Sequence, residues 1–363
     1  MVKALSSEQM FFYRMPKVQS GRPFDFCIDA EGNLWESYGR SLFKYDPRRA
    51  EAAQVTPQAM AGRVGNALAR LGDEMAFFHY QANDYTAINP RTGQSRRCSL
   101  PSRPDGDVHD IWFCVEVAGK VLAFDRGLNG GVLVLGKAGD TPRKIACPYG
   151  DPEMVDGMVL PDGRVMIPAA GRMSILMFDP ANEIFTQEIQ SDYEISFTWG
   201  CMFHEGIAYV ADTSGGRLLP CDTRAGRWLE PIPTPDYGRL YGYIGQGFQV
   251  GSRGYFNLDT WKGHEGIDRR THRLRTPPGY RTNTVDGQPM RFLDRFLVFD
   301  AETGEFDYLV SPSQPDGVAE LCYSKYQHGK VFITGHVIPT APGAPVGYGP
   351  GDYCVWQSSP AQR

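Results

Sequence analysis

The sequence predicts an all-β protein, a single seven-bladed β-propeller domain with four-stranded blades over residues 1–363. Three observations lead to this prediction. A unit of four apolar strand segments recurs along the chain, its first tight turn returns at a regular spacing, and the chain is rich in turn residues, with 41 Gly and 27 Pro. Because 42% of the residues are hydrophobic and 12% are aromatic, the chain has enough apolar side chains for such a core.

The repeating unit is clearest in the segment VDGMVLPDGRVMIPAAGRMSILMFDPANEIFTQEI. It contains a strand, a Gly turn, a second strand, a polar loop, a third strand, an Asp/Asn-rich turn and a fourth strand. One glycine in each first turn marks a copy, and five of the six spacings between them are 40 to 48 residues, the length of a four-stranded blade. These glycines are Gly32, Gly72, Gly119, Gly163, Gly206, Gly254 and Gly329.

Two departures from the repeat complete the predicted architecture. The seventh copy runs out after GDYCVWQ, so we expect the N-terminal segment QMFFYRMPK to supply its missing outer strand and to close the ring, because an open ring would leave unpaired edges. The sixth copy has about 30 extra residues between its second and third strands, which predicts an insertion loop at 260–292.

Composition narrows the classes of partner. A net charge of −5 gives no reason to expect nucleic-acid binding. No run approaches 18 apolar residues and the N-terminus lacks the apolar core of a signal peptide, so we expect a cytoplasmic monomer that does not bind membranes, or a secreted one if a signal had been removed. Cys27, Cys114 and Cys201 occupy equivalent strand positions, which favours free thiols over disulfides, and no zinc-ligand spacing is present.

The repeat also sorts candidate residues by face. Both sets of hairpin turns of a blade lie on one face, whereas the loops that join strands two and three, and those that join blades, lie on the other. We call the face that carries these loops the loop end, and we expect the ligand to bind there. His204 and His328 fall in first-set turns, whereas His79 and His336 both lie seven residues beyond a turn glycine at the loop end. The same count places Arg126 and Trp261 at this position.

Positive charge at the loop end points to an anionic ligand. Three loops end in Arg after Gly, at Arg40, Arg172 and Arg217. A planar guanidinium can hold a carboxylate or phosphate by two-point contact, although each Arg could instead pair with an acid of a neighbouring blade. The insertion carries about three net positive charges together with Trp, His and Tyr, so we expect it to lie over the ligand as a lid. Acidic residues nearby would allow Ca²⁺ or Mg²⁺, but no calcium-loop spacing is present.

One blade carries a family signature. The segment FDFCIDAEGNLWESYGRSLFKYDP resembles the repeat of the streptogramin B (virginiamycin B) lyase-like propellers, which typically read DGNLWFTE. The overall plan is also similar to the seven-bladed polysaccharide lyases that cut next to uronic acids. In such enzymes the resemblance implies an Arg that neutralises the carboxylate and a His or Tyr that removes the neighbouring proton.

These observations favour a lyase that performs β-elimination next to a carboxylate on a small anionic substrate, most simply a uronate-containing saccharide. The expected catalytic residues are His79, Tyr80 and His336, and the expected substrate-binding residues are Tyr38, Arg40, His109, Arg126, Arg172, Arg217, Trp261 and His264. Three alternatives stay open: a cyclase or isomerase acting on a small hydrophobic metabolite, a non-catalytic binding propeller, and a hydrolase of the metal-dependent lactonase type.

Overall fold

The computed structural model describes residues 10–15, 23–46, 51–103, 105–126, 129–193, 198–213, 215–237, 243–259, 267–268, 273–274, 284–285, 288–289, 295–310, 317–327, 330–339 and 352–358. This part of the chain is almost entirely β-structure, and its helical elements are two short 3-10 helices, Gln58–Met60 and Ala170–Arg172. It divides into two compact units: a central unit, Pro23–Gln190, and a terminal unit that contains the described residues before and after it.

The strands of the central unit form four antiparallel sheets in chain order, which we number as blades one to four. The first strand of the chain, β1 (Met10–Met15), belongs to the terminal unit. Blade one contains β2 (Pro23–Ile28), β3 (Leu34–Tyr38), β4 (Ser41–Asp46) and β5 (Glu51–Gln54). Blade two contains β6 (Gly65–Leu71), β7 (Glu74–His79), β8 (Asp84–Ile88) and β9 (Ser95–Ser99). Blade three contains β10 (Ile111–Val117), β11 (Lys120–Asp125), β12 (Gly131–Leu135) and β13 (Arg143–Ala146), and blade four contains β14 (Met158–Val159), β15 (Val165–Ala169), β16 (Ser174–Asp179) and β17 (Ile184–Gln190).

The terminal unit contains blades five to seven. Blade five contains β18 (Thr198–His204), β19 (Ile207–Asp212), β20 (Arg217–Asp222) and β21 (Arg227–Trp228), and β22 (Ile232–Pro233) also pairs with β20. Blade six contains β23 (Tyr243–Val250), β24 (Arg253–Asp259), β29 (Arg295–Asp300) and β30 (Glu305–Val310). Blade seven contains β31 (Gly317–Gln327), β32 (Lys330–Pro339), β33 (Asp352–Ser358) and β1.

This succession of four-stranded antiparallel sheets confirms the predicted all-β propeller class. Three further predictions can be compared with the strands. The N-terminal strand completes blade seven, with Met10 opposite Ser358 and Met15 opposite Tyr353. The insertion falls between β24 and β29, and its described parts are two short hairpins, β25 (Ile267–Asp268) with β26 (Arg273–Leu274) and β27 (Thr284–Val285) with β28 (Gln288–Pro289). Whether residues 1–363 form one domain stays a prediction, as does the lid.

One predicted turn glycine is wrong. In blade six the hairpin turn is Gly251–Ser252, because Val250 pairs with Arg253, and Gly251 has a φ of +61°. Gly254 lies inside β24, paired with Gln249 and Phe299. The sequence motif GSRGY offers two glycines, and only the pairing decides which of them takes the left-handed conformation that the turn requires.

The first strand of each blade is the strand that meets its neighbours. Within the central unit β6 packs against β2 and β10, and within the terminal unit β23 packs against β18 and β31. These strands carry fully buried apolar side chains between the sheets, such as Ala67, Ile111 and Ile244. Their loop ends therefore converge on one region of each unit.

A β-bulge interrupts six of the seven first strands close to the loop end. In blade three the pairing shifts between Ile111 and Phe113, so Trp112 is the extra residue. In blade five it shifts between Thr198 and Cys201, which places Trp199 and Gly200 in the bulge. Because a bulge adds twist and redirects a side chain, this repeated feature turns the loop-end residues away from the regular strand alternation.

The pairing of β1 with β33 generates a stability prediction. Deleting residues 1–15 removes this strand and exposes the backbone edge of β33, so we expect the deletion variant to unfold at least 5 °C lower, which for a chain of this size corresponds to about 4 kcal/mol. Thermal unfolding followed by circular dichroism measures this. Deleting residues 1–9 alone is the matched control, and the difference between the two midpoints isolates β1; an equal loss in both variants would contradict a role for the β1–β33 pairing.

Candidate functional site

The loop end of the central unit is the best described candidate region. Strand two of each blade ends there, and the residue at that end can be compared between blades by its pairing with strand one. His79 is the sixth residue of its strand counted from the hairpin, and so are Asp125 in blade three and Asp212 in blade five. All three are fully buried polar residues, exposed by 0%, 0% and 1%.

This register corrects the predicted equivalence of His79 and His336. The hairpin Leu71–Glu74 places its glycine first, whereas the hairpin Val117–Lys120 places it second, so counting from the glycines is out by one residue between these blades. In blade seven Lys330 begins strand two, and His336 is therefore its seventh residue, opposite Glu320 and Tyr353. By register His336 corresponds to Tyr80 and Arg126 rather than to His79. Its side chain lies outside the described part of the structure.

His79 makes two hydrogen bonds within its own blade. Its Nδ1 lies 2.5 Å from Oδ1 of Asp84, and its Nε2 lies 3.1 Å from Oγ1 of Thr86. Burial lowers the pKa of the imidazole below its ordinary value of 6.5, against the opposing effect of the Asp84 carboxylate. The neutral ring satisfies both contacts, with Nδ1–H donating to Asp84 and Nε2 accepting from the Thr86 hydroxyl. This arrangement ties β7 to β8 and, with no exposed surface, gives no support to the predicted catalytic role of His79.

Asp84 is held from both sides. Burial raises the pKa of this carboxyl, but the hydrogen bonds from His79 and Arg63 outweigh that effect and hold the pKa below its usual range. The Arg63 guanidinium lies 2.5 Å from Oδ2 of Asp84. Arg63 follows blade one in the chain, so the His79–Asp84–Arg63 group also joins the connection between blades one and two to the end of strand two.

His109 is likewise a structural residue. Its Nδ1 lies 2.7 Å from Oδ2 of Asp125 and its Nε2 lies 2.8 Å from the carbonyl oxygen of Pro101. The same carboxylate accepts from Arg103 at 3.0 Å and from the backbone N–H of Asp110 at 3.0 Å. Burial raises the pKa of Asp125, but the hydrogen bond and charge of His109, together with Arg103, hold it below its usual range. The buried ring has no contact surface for a ligand, so the predicted substrate-binding role of His109 gains no support.

Most of the predicted arginines are engaged in ion pairs. Nε of Arg126 lies 2.8 Å from Asp110, Nε of Arg172 lies 3.0 Å from Glu188, and Nε of Arg217 lies 2.8 Å from Asp212. In the Arg172 and Arg217 pairs the acid belongs to the same blade, and in the Arg126 pair Asp110 directly precedes the first strand of that blade. None of these three ion pairs therefore involves an acid of a neighbouring blade, which was the alternative that the sequence suggested. Guanidinium groups already balanced by a carboxylate attract an anionic ligand less strongly.

Tyr80, Trp112 and Arg126 form an aromatic cluster, which we call the Trp112 cluster together with Asp110. The Arg126 guanidinium carbon lies 4.3 Å from the centre of the Trp112 ring, within cation–π range, and the Trp112 Nε1–H donates to Asp110 Oδ1 at 2.9 Å. The Tyr80 ring packs edge-on, with a distance of 6.3 Å between ring centres. Arg126 is 6% exposed and Tyr80 is 37% exposed, so the aromatic rings and not the charge face solvent.

The terminal unit has a second tryptophan at the equivalent bulge. The backbone N–H of Trp199 donates to Oγ1 of Thr213 at 3.2 Å, and its ring lies 6.3 Å from that of Tyr323. Tyr323 belongs to blade seven and Trp199 to blade five, so the pair reaches past the first strand of blade six within this unit. Trp112 was missed in the sequence; aligning HDIW with SFTWG by blade position would have paired it with Trp199.

The remaining predicted residues are placed as follows. Tyr38 ends β3 opposite Pro23 and Ser41, and its side chain is outside the described residues. Arg40 is exposed in the tight turn that follows. Trp261 and His264 lie outside the described residues, so their roles stay predictions. Among described residues, no three His, Cys, Asp or Glu side chains come together as a metal site would require.

A cleft of about 270 Å³ lies at the opposite, hairpin-turn end, between blades two and three. Its cations are already paired: Arg70 with Glu116 at 4.0 Å, and Lys120 with Glu183 at 2.6 Å. We therefore take the Trp112 cluster, not this cleft, as the candidate site.

No helix in the described part of the chain is long and apolar enough to cross a membrane.

Comparison with known proteins agrees with the fold. No family model matches the sequence, and no curated protein matches it. Virginiamycin B lyase from Staphylococcus aureus superimposes with a TM-score of 0.65 at 11% identity, covering 96% of this chain and 99% of that one. A catalytically inactive histidine-to-alanine variant of that lyase, with quinupristin, gives the same values. YCF48 bound to D1 peptide gives a TM-score of 0.63 at 9% identity and covers 99% of both chains. At these identities the likeness shows the propeller fold.

The His79 contacts predict a pH-dependent stability. Because folding lowers the pKa of the His79 imidazole, the unfolded chain takes up a proton below about pH 6.5 that the folded chain does not. The stabilisation that the neutral His79 contacts provide is therefore present above pH 6.5 and decreases as the pH falls. We expect His79→Gln to cost about 1–2 kcal/mol at pH 8 and less at pH 5, measured by urea unfolding. His204→Gln, at a hairpin end, is the control and should cost about 0.5 kcal/mol or less at both pH values. A cost for His79→Gln that grows as the pH falls would contradict the neutral, buried imidazole.

Proposed function

We propose that this protein is a carbon–oxygen lyase that performs an elimination next to a carbonyl or carboxylate group of a small substrate. The observation that supports the proposal is the likeness to virginiamycin B lyase, which extends over 96% of this chain and 99% of that one. The loop end of the central unit supports it with a half-exposed tyrosine, Tyr80, held beside a fixed tryptophan.

The chemistry needs one group that moves a proton and an environment that tolerates developing charge. A base removes the proton from the carbon next to the carbonyl, the electron pair forms a carbon–carbon double bond, and the bond to the leaving oxygen breaks as that oxygen takes up a proton. Tyr80 is the exposed proton donor and acceptor of the Trp112 cluster. His336 is the other candidate, since a histidine-to-alanine change inactivates the neighbouring lyase and since His79 and His109 are both engaged in structural contacts.

The proposed substrate does not include the uronic acid that the sequence suggested. Arg126 and Arg172 each pair with a carboxylate of their own unit, and this leaves little basis in these two residues for a uronate. We therefore propose the reaction class without the sugar.

Replacement of the Tyr80 hydroxyl tests the proposal directly. The substrates would be a panel of cyclic depsipeptides, including quinupristin, and uronate oligosaccharides; elimination generates a new double bond, seen as ultraviolet absorbance, and leaves the mass of a cyclic substrate unchanged, whereas hydrolysis adds a water. We expect Tyr80→Phe to lower kcat about 100-fold, because positioned acid–base groups contribute on this scale. Tyr326→Phe removes the hydroxyl of another exposed tyrosine, at a hairpin end, and should leave kcat unchanged. No elimination product from any member of the panel would refute the lyase proposal.

A second substitution tests the other candidate base. We expect His336→Gln to lower kcat by about 100-fold with a smaller change in KM, since a base acts in the transition state more than in substrate binding. His204→Gln is the matched control. If both His336→Gln and Tyr80→Phe retain full activity, the proton is moved by a residue outside these two candidates.

A non-catalytic binding propeller is the second candidate function. It is favoured by the apolar side chains exposed around the cluster, Tyr80 at 37% and Val108 at 38%, and by the likeness to YCF48 bound to D1 peptide. This alternative predicts that peptide binding survives Tyr80→Phe but is lost in Tyr80→Ala, since the ring and not the hydroxyl would make the contact.

A further inference from the structure

Arg40 differs from the other predicted arginines. It occupies the second position of the two-residue turn Gly39–Arg40 between β3 and β4, where Tyr38 pairs with Ser41 and Gly39 has a φ of +58°. Its side chain is exposed, and it makes no ion pair with any residue that the structure describes. Arg126 and Arg172, in the same unit, are both paired with carboxylates. Arg40 is thus the arginine of this set whose charge is available to a ligand.

Backbone hydrogen bonds connect Arg40 to the Trp112 cluster. The carbonyl oxygen of Gly39 accepts from the N–H of Gly65 at 3.3 Å, and Gly65 is the residue that pairs with His79. The N–H of Tyr80 in turn donates to the carbonyl oxygen of Val64 at 2.8 Å. The backbones at Gly39 and Tyr80 are therefore about two strand spacings apart, about 10 Å. An extended side chain on the next residue, Arg40, and a small ligand can cover that distance together.

Arg40, Tyr80 and Trp112 thus mark a strip of the loop end, and its aromatic end, formed by Tyr80 and Trp112, is rigid. Trp112 is fixed by its Nε1–H bond to Asp110 and by the Arg126 guanidinium on its ring, and Tyr80 packs against its edge. Arg126 and Asp110 balance each other in charge, so the rings present a neutral apolar surface and the net positive charge of the strip comes from Arg40. A ring can stack on such a surface, while a charge on the same ligand would be drawn toward Arg40.

Left-handed backbone occurs in the loops beside this cluster, as it also does at Glu153 and Met173 in blade four. Gln81 and Asn129 are non-glycine residues in the left-handed region, with φ of +46° and +57°, and neither lies in a tight strand one–strand two hairpin. The structure holds them through neighbouring bonds: the N–H of Ala82 donates to the carbonyl of His109 at 3.1 Å, and the Asn129 amide donates to Asp105 at 3.2 Å. Strained backbone maintained in this way is concentrated at ligand sites, where it positions side chains before binding.

We propose that Arg40, Tyr80 and Trp112 form a binding site for a ring that carries a carboxylate, with the carboxylate on Arg40 and the ring against Tyr80 and Trp112. The inference rests on the proposed function only in expecting a small substrate with a carboxylate or carbonyl. The site again takes an anionic ligand, but Arg40 binds the negative charge instead of Arg126 and Arg172, which are already paired with carboxylates. A sugar acid and an aromatic acid share this chemistry.

Two matched pairs of probes test the site by isothermal titration calorimetry at low ionic strength. Methyl β-D-glucuronide and methyl β-D-glucoside differ in one carboxylate, and so do benzoate and benzamide. We expect the charged member of one pair to bind about tenfold more tightly, a difference of about 1.4 kcal/mol, and that pair identifies the ring as saccharide or aromatic. Arg40→Ala should abolish the difference within the pair, and Tyr80→Ala should weaken both members.

The control is Arg91→Ala, which removes another exposed arginine from a turn at the opposite end of the central unit and should leave all affinities unchanged. Equal affinity within both pairs, a carboxylate preference that survives Arg40→Ala, or no binding of any probe at millimolar concentration would each overturn the site. The measurement involves no turnover, so binding without elimination refutes only the lyase, and elimination without carboxylate preference refutes only this site.

Discussion

The end of strand two is the position on which the loop end depends. Where a strand leaves the sheet, backbone N–H and C=O groups lose their ladder partners while they are still buried, and each unpaired group would cost about 1–3 kcal/mol. Buried side chains meet this requirement. Asp125 accepts the backbone N–H of Asp110, and His109, which is bonded to Asp125, also bonds to the backbone carbonyl oxygen of Pro101. In blade two, His79 adds side-chain bonds to Asp84 and Thr86. The loops keep their conformation because these groups are paired.

That constraint also decides which polar residues remain for chemistry. A histidine beside an aspartate has the composition of a catalytic pair, but in His79–Asp84 both ring nitrogens are engaged and the ring has no exposed surface. The residues one position further on, Tyr80 and Arg126, lie just beyond the ends of β7 and β11, although their backbone N–H groups still donate to Val64 and Asp110. Arg126 turns back onto Trp112 and Asp110, whereas Tyr80 stays half-exposed. A ligand would therefore meet the residue after the buried one.

Several features of the fold were predictable because they repeat. The Gly turns, the apolar strands and the missing outer strand of the seventh copy led to the blade plan and to the pairing of β1 with β33. Repetition also limited the accuracy of the site prediction. A turn glycine is first in the Leu71–Glu74 hairpin and second in the Val117–Lys120 hairpin, and this one-residue difference moved His79 into a false equivalence with His336. The bulge at Trp112 depends on pairing with β11, so in the sequence its only trace is the equivalent position of Trp199.

The sequence by itself determined the fold class, the order of the blades and the position of the insertion. These follow from local turn chemistry and from the period of apolar residues, which neighbours in the chain are sufficient to set. Tertiary structure alone decided which of those side chains are accessible. Arg126 finds Asp110 and Trp112, Arg172 finds Glu188, and Arg40 finds no described acid. Such pairing depends on how side chains from different strands of one blade are placed relative to each other, and residue type carries no information about that placement.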